Sequence, residues 1–320
     1  MPDFIRSVVA QEETITASAV ATYDLPVNPL SFIHYVLRWQ DGATMGNTAN
    51  PVADALSFIS KVEVLFRGQA IMSMSLADLW YMMGRVTDWR PSIMNLVDAA
   101  TERHYLSLII PFGRMPYDPS ECFPASRRGE LQLQITSTAA VGTVDTPAHI
   151  IETVELVDTN PKQFLKMTTI SKTPSAAGEH DVDLPIGNDI LGVGLFGTTV
   201  PTGASTNRSL GELRLLVDNI EQKYAKSNWE AFKQESDMHH GYDVLTDRHT
   251  HLQNANTDVV TGGAVFGIVG KNQYAYLDFD PLDNGMYALR TRGRSRVNFR
   301  INSEGVNDAI RVIPVELITP

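Results

Sequence analysis

Asp24-Leu25-Pro26-Val27 returns as Asp183-Leu184-Pro185-Ile186, 159 residues further along the chain. Each copy leads into an apolar run of strand length, Phe32–Leu37 after the first and Leu191–Phe196 after the second. A recurrence at so long a period marks a duplicated structural unit, so further matches are expected in the same order. Val64-Leu65-Phe66 is matched by Leu216-Val217-Asp218, and at that spacing Ser75 and Asp78 fall on Ser227 and Glu230. A Ser with an acid three residues on is the capping-box pattern, in which hydroxyl and carboxylate satisfy free amides of a first helical turn. A helix is therefore predicted at an equivalent place in each copy. Tyr105–Phe112 corresponds to Tyr274–Leu282, and Arg128–Ile135 to Arg294–Ile301. In the latter pair Leu131, Leu133 and Ile135 alternate with polar residues, as do Val297, Phe299 and Ile301, the period of a strand with one buried face. Val154-Glu155-Leu156 and Val315-Glu316-Leu317 complete the series.

Between these anchors the chain reads as short apolar runs punctuated by Gly, Pro, Asn and Asp. Strands are predicted at Ser31–Trp39, Lys61–Phe66, Tyr105–Pro111, Glu130–Thr136 and Ile150–Val157. In the second half they fall at Ile190–Phe196, Glu212–Val217, Gln273–Phe279, Arg296–Ile301 and Ala309–Ile318. Only Ser75–Val86 and Ser227–Ser236 read as helices. Many short strands with rare helices indicate an all-β sandwich or barrel class. We expect two tandem eight-stranded β-barrels, each with a short inserted helix. The first covers residues 1–158 and the second 159–320, with the boundary in the turn-rich Asp158-Thr159-Asn160-Pro161. A single large sandwich would have no reason to keep the matches in order.

Composition narrows the function. Hydrophobic residues make up 43% of the 320 and charged residues 20%, enough to bury real cores. No apolar run reaches the roughly 18 residues that a membrane helix needs. The net charge of −11 makes the chain a poor general nucleic-acid binder, because phosphate binding requires clustered Lys and Arg to displace counterions. If it encloses a genome, it does so as a wall. Cys122 is the single cysteine, so an intrachain disulfide is impossible, and Met1–Arg6 lacks the long apolar stretch of a signal peptide. Both lead us to expect folding in a reducing cytoplasm.

Particular residues carry a family resemblance. They are Val64–Ile71 followed by the Ser75–Val86 helix, then Leu108–Gly113, Phe123-Pro124-Ala125 and Glu130–Ile135. With its duplication, this chain resembles the double jelly-roll major capsid proteins of tailless icosahedral viruses, the lineage of adenovirus, large DNA viruses and tailless bacteriophages. It is most similar to the small phage members of the lipid-containing finnlakevirus type. The resemblance implies two tandem jelly rolls and a homotrimer whose six barrels make a pseudo-hexagonal tile of an icosahedral shell around the genome. The implied partners are further copies of the chain, minor capsid and vertex proteins and, in many shells, an internal membrane. Specific nucleic-acid recognition is not implied. The implied location is the virion, with folding and assembly in the host cytoplasm, and the implied role is structural rather than enzymatic. Met1–Ala10 would be an inward-facing arm touching neighbours or lipid, or else a frayed terminus.

The motifs that could carry chemistry are weak. Gly192-Val193-Gly194-Leu195-Phe196-Gly197 has dinucleotide-loop spacing, but turn residues follow it where a helix N-terminus is required, and the repeat places it on a strand. Gly270-Lys271 lacks the first glycine and the Ser or Thr of a phosphate loop. His239, His240, His249 and His251 cluster, yet the Glu of a cupin-like metal site is missing, so an exposed loop over Glu235–Val259 is the simpler reading. Arg290, Arg292, Arg294 and Arg296 alternate, which on a strand would give one basic face, for phosphates or for acids of a neighbouring subunit. Arg127-Arg128 stands at the equivalent place. Asp278 and Asp280 read as solvated strand residues, Asn207-Arg208-Ser209 is a formal sequon only, and Cys122 shows no cue for reactivity. We therefore assign no catalytic, cofactor-binding or metal-binding residue and expect no cofactor. Two alternatives remain. A carbohydrate-binding or cupin-like barrel would carry a concave cluster of aromatics, or of His and carboxylates. A minor capsid or vertex protein would differ in copy number. Of the tryptophans, Trp39, Trp80, Trp89 and Trp229, the second and last sit on the inserted helices, where packing explains them.

Overall fold

The computed structural model describes residues 3–40, 51–87, 89–94, 103–141, 144–200, 207–240, 273–305 and 307–320, and the structural statements below concern these. Their contacts separate those up to Leu165 from those between Lys166 and Thr319.

The first unit contains β1 (Asp3–Thr14), β2 (Val20–Asp24), β3 (Leu30–Gln40), α1 (Pro51–Phe58), β4 (Ile59–Phe66), β5 (Gln69–Met74), α2 (Leu76–Val86), β6 (Ser92–Met94), β7 (Arg103–Pro111), β8 (Leu131–Ser137) and β9 (Asp145–Val157). One antiparallel sheet runs β1-β9-β3-β7-β6, and β2-β8-β4-β5 are neighbours in that order. The last strands thus lie between the first ones, which is jelly-roll winding. Alternation sets the faces: Leu131, Leu133 and Ile135 are buried, while Gln132, Gln134 and Thr136 between them are partly exposed. The two sheets meet where the Tyr23 hydroxyl, on β2, lies 2.5 Å from Nε2 of His149, on β9. Helix α2 starts as its sequence dictates. The Ser75 hydroxyl accepts from the Asp78 amide at 3.1 Å, and Leu76, Leu79, Met82, Met83 and Val86 turn one face inward.

After β10 (Phe164–Thr168), the second unit contains β11 (Ile170–Lys172), β12 (Gly178–Asp183), β13 (Asp189–Gly197), β14 (Glu212–Val217), β15 (Ile220–Glu221), β16 (Ser227–Asn228), α3 (Trp229–His240), β17 (Tyr274–Asp278), β18 (Leu289–Arg290), β19 (Val297–Ser303) and β20 (Ile310–Ile318). Strands pair as β11-β20-β13-β17 and as β12-β19-β14-β15, with β18 on β13 and β16 on β14. The winding of the first unit is repeated, and so is the place of its helix. One core draws on both sheets and the helix, among them Val193 and Leu195 of β13, Leu213 and Leu215 of β14, Phe299 and Ile301 of β19, and Trp229 and Phe232 of α3.

The duplication extends to individual hydrogen bonds. The Leu25 amide donates to the Leu131 carbonyl at 3.0 Å, and its counterpart Leu184 donates to Val297 at 2.8 Å. Near the end of each unit a buried carboxylate is clamped by an asparagine. Asn28 Nδ2 donates to Glu155 at 2.7 Å, and Asn188 Nδ2 to Glu316 at 2.8 Å. The β4–β5 and β14–β15 hairpins turn through Arg67-Gly68 (φ 50° and 77°) and Asp218-Asn219 (φ 51° and 66°). Two successive positive φ values make the turn whose twist matches that of its strands, which favours Gly or Asn at the second place.

Several expectations are corrected. Those hairpins set Phe66 opposite Leu131 and Val217 opposite Val297, so the partner of Phe66 in the repeat is Val217, not Asp218. Ser227 is not a helix cap. The edge of β14 takes Ser227 and Asn228 as a short strand, and α3 begins at Trp229 and continues past Ser236 to His240. Helix α1 was not anticipated. Asp3–Ala10 is not a frayed end, because β1 pairs along β9 from Asp3 opposite Val157 to Thr14 opposite Ala148.

Candidate binding and assembly surfaces

The outer face of β1, β9, β3 and β7 carries a row of polar side chains, one from each strand. Arg6 Nε meets Glu152 at 2.6 Å, Arg6 Nη2 lies 2.9 Å from His34 Nδ1, and His34 Nε2 lies 2.7 Å from Ser107 Oγ. An arginine can only donate, so Nδ1 of a neutral His34 accepts and its Nε2–H donates to the serine. Burial, and next the Arg6 charge, hold His34 below the usual imidazole range, with Glu152 opposing. The row is therefore internally satisfied.

Beside it stands an aromatic wall. Phe32 of β3 meets Trp89, just beyond α2, at 5.4 Å between ring centroids, and Tyr117 of the loop after β7 at 5.4 Å. Phe4 of β1 extends the wall, edge-on to Tyr117 at 5.3 Å. Tyr117 holds φ at 69°, uncommon for a bulky residue, and its amide donates to the Ser31 hydroxyl at 2.7 Å. Arg6, His34 and Ser107 of the row and Phe32, Trp89 and Tyr117 of the wall line a cavity of about 210 Å³, together with Arg90 and the apolar Met83, Leu108 and Ile109. Trp89 is 41% and Tyr117 38% exposed. No periodicity could have revealed this site, because its residues come from separate elements.

The second unit presents a different surface. On β12, Asp181 accepts from Arg300 Nε at 2.8 Å and from Arg296 at 3.3 Å, and Asp183 accepts from Arg296 at 2.7 Å. Arg214 reaches Glu179 at 3.3 Å. The Arg300 hydrogen bonds, and next its charge together with that of Arg296, hold Asp181 below the usual carboxylate range. This corrects the alternating arginine stripe. Arg290 ends in β18, Gly293 turns the chain at φ 77°, and β19 starts only at Val297, so the four arginines do not share a strand. Arg294 and Arg296 pair with acids of their own chain, Asp218, Asp181 and Asp183. A shallower hollow of about 500 Å³ lies between Tyr224, Phe279 and Tyr287.

The remaining sequence motifs resolve as follows. Gly192 lies within β13, where a Cβ would stand 2.1 Å from the Tyr276 hydroxyl, so the glycine admits that ring and does not open a helix. Asp280 is buried rather than solvated. Its amide donates to Asp278 at 2.8 Å and its carboxylate accepts from the Gly285 amide at 2.7 Å, which builds a turn. Glu235–His240 is helical rather than loop, and His249, His251 and Gly270-Lys271 lie outside the described residues. Ser209 of the sequon is buried, its hydroxyl accepting from the Thr199 amide at 2.8 Å. Burial pushes the Cys122 thiol up to about 11. Among the described residues no group of three or more His, Cys, Asp or Glu is placed to hold a metal.

No protein-family model matches the chain, and no curated protein matches its sequence. Solved structures do. A chain of the Sulfolobus turreted icosahedral virus superposes with a TM-score of 0.70 at 14% identity, covering 99% of this chain and 91% of that one. The crystal structure of the major capsid protein of that virus gives 0.66 at 13%, covering 99% and 97%. The major capsid protein P2 of bacteriophage PM2 gives 0.59 at 12%, covering 100% and 97%. The chain has the double jelly-roll fold of these viral capsid proteins, as the sequence led us to expect.

Proposed function

We propose that this chain is the major capsid protein of a tailless icosahedral virus, with a structural and not an enzymatic role. The observation that carries the reading is the duplicated jelly roll, repeated down to single hydrogen bonds, together with likeness to capsid proteins over essentially the whole chain. We take its barrels to divide in the turn-rich Asp158-Thr159-Asn160-Pro161, a few residues before the contact boundary between Leu165 and Lys166. Three two-barrel chains place six barrels about a three-fold axis, and closed symmetry buries the same contacts three times. Duplication thus lets a three-fold object fill a near-hexagonal position. Phe4, Ile5 and Val8 on the open edge of β1, and Leu282, Met286 and Tyr287 after β17, are exposed apolar groups suited to contacts with further copies. Minor capsid and vertex proteins, and lipid beneath the shell, are the other partners this reading gives. Assembly would take place in the host cytoplasm and leave the chain in the virion.

Quantitative protein analysis of purified particles, combined with electron cryomicroscopy, tests this reading. The account expects this chain to be the most abundant protein and to form the three-fold tiles. A few copies per particle, confined to vertices, would make it a minor component, and absence from particles would refute a capsid role.

A further inference from the structure

We propose that the cavity between the polar row and the aromatic wall of the first unit is a binding subsite for one pyranose ring of a glycan. Its volume of about 210 Å³ lies below the roughly 300 Å³ at which sites for drug-sized molecules begin, and suits a single ring. A pyranose presents C–H bonds on its faces and hydroxyls around its rim. The wall answers the first. Trp89 and Tyr117 offer ring faces and edges and stay well exposed, although both pack edge-on against the buried Phe32. The floor answers the second, because Arg6, His34 and Ser107 set donors and acceptors side by side along it. Glu152 offsets the Arg6 charge, while Arg90 adds a cation to the lining, so an acidic sugar is among the rings the site suits.

The second unit shows that the fold does not require this site. The strand registers place Gly192, Gly194 and Ile313 where the first unit has Phe32, His34 and Glu152. The Tyr276 hydroxyl closes over Gly192 instead. The wall is also held in advance of any ligand, since the Ser31 hydroxyl fixes the Tyr117 amide.

Saturation-transfer NMR of the full chain with methyl glycosides of glucose, galactose, mannose, N-acetylglucosamine and glucuronic acid provides the test. We expect at least one to give a saturable signal. Losing one aromatic contact should weaken it about tenfold in Trp89→Ala, and comparably in Tyr117→Ala, while Tyr287→Ala in the second unit leaves it unchanged. Silence from all five would overturn the proposal, as would a signal indifferent to both first-unit variants. Displacement by propionate as effective as by any glycoside would instead identify a pocket for an acidic side chain of another protein. The outcome is independent of the shell reading, because a chain that never assembles could still bind the sugar.

Discussion

Two positions on corresponding strands, Thr22 and Asp181, show how the halves differ. Each lies opposite its counterpart on the neighbouring strand, Gln134 in the first unit and Arg300 in the second, with Glu63 and Arg214 one strand further on. The backbone ladders are equivalent. Yet one face sets Thr22 and Gln134 beside a Lys61–Glu63 pair, and the other is a network of arginines and carboxylates. Conversely, the first unit has the aromatic cavity where the second has glycines. Winding, turns and the asparagine–carboxylate clamp are common to both units because they hold the barrel together. The outward side chains were free to specialise.

The clamp gives the largest expected effect. Glu316 is almost fully buried and also meets Lys166 at 2.9 Å, whereas Glu155 has the neutral partners Ser7 and Asn28. Glu316→Ala takes the buried carboxylate away from both the partly exposed Lys166 ammonium and the Asn188 amide, and should cost about 1.5–3 kcal/mol in denaturant unfolding. Glu155→Gln keeps a hydrogen-bonding side chain and should cost about 1 kcal/mol. Equal costs would mean that the clamps are interchangeable.

Acid should separate the units. Burial holds His149 below its ordinary value of 6.5, as burial and Arg6 do for His34. The unfolded chain then binds these protons more readily, so their contribution is complete above about pH 6.5 and falls as the pH drops below it. Asp181 is depressed from 3.8, so its contribution persists above that value and is lost only as the pH falls through it toward the folded value. Hydrogen exchange at stepped pH should therefore show β9 and β3 loosening at mildly acidic pH while β12 and β19 hold, with His149→Gln weakening the first response. Loosening of both sets together would break the comparison.

Surface charge comes next. Exposed ion pairs contribute about 0.2–1 kcal/mol each and are screened by salt, so Asp181→Asn should lower stability by about 1 kcal/mol at low salt and by less at about 1 M. Thr22→Val at the matching position should show no salt dependence. The smallest effects concern the turns. Gly68→Ala should cost about 1 kcal/mol because alanine resists a φ of 77°, while Asn219→Gly should be nearly neutral.

The sequence made the fold legible wherever a strand buries one face and exposes the other. Leu131/Leu133/Ile135 and Val297/Phe299/Ile301 announce their strands by alternation alone. Strand β1 escaped because it is an edge strand with Ala10 as its one buried residue, so no period marks it. The arginine stripe misled because alternation also occurs in a turn, and only the positive φ of Gly293 distinguishes the two. The cavity was unreadable for another reason. Arg6, Phe32, Trp89, Ser107 and Tyr117 meet only through tertiary packing, and no pattern in the sequence set Trp89 apart.

The central claim is that duplication serves a three-fold tile, and the solution mass of the purified chain tests it most directly. Light scattering should give a particle of three times 35.3 kDa that does not dissociate on dilution. A stable 35.3 kDa monomer at all concentrations would contradict the account, because a solitary two-barrel chain has no lattice to fill.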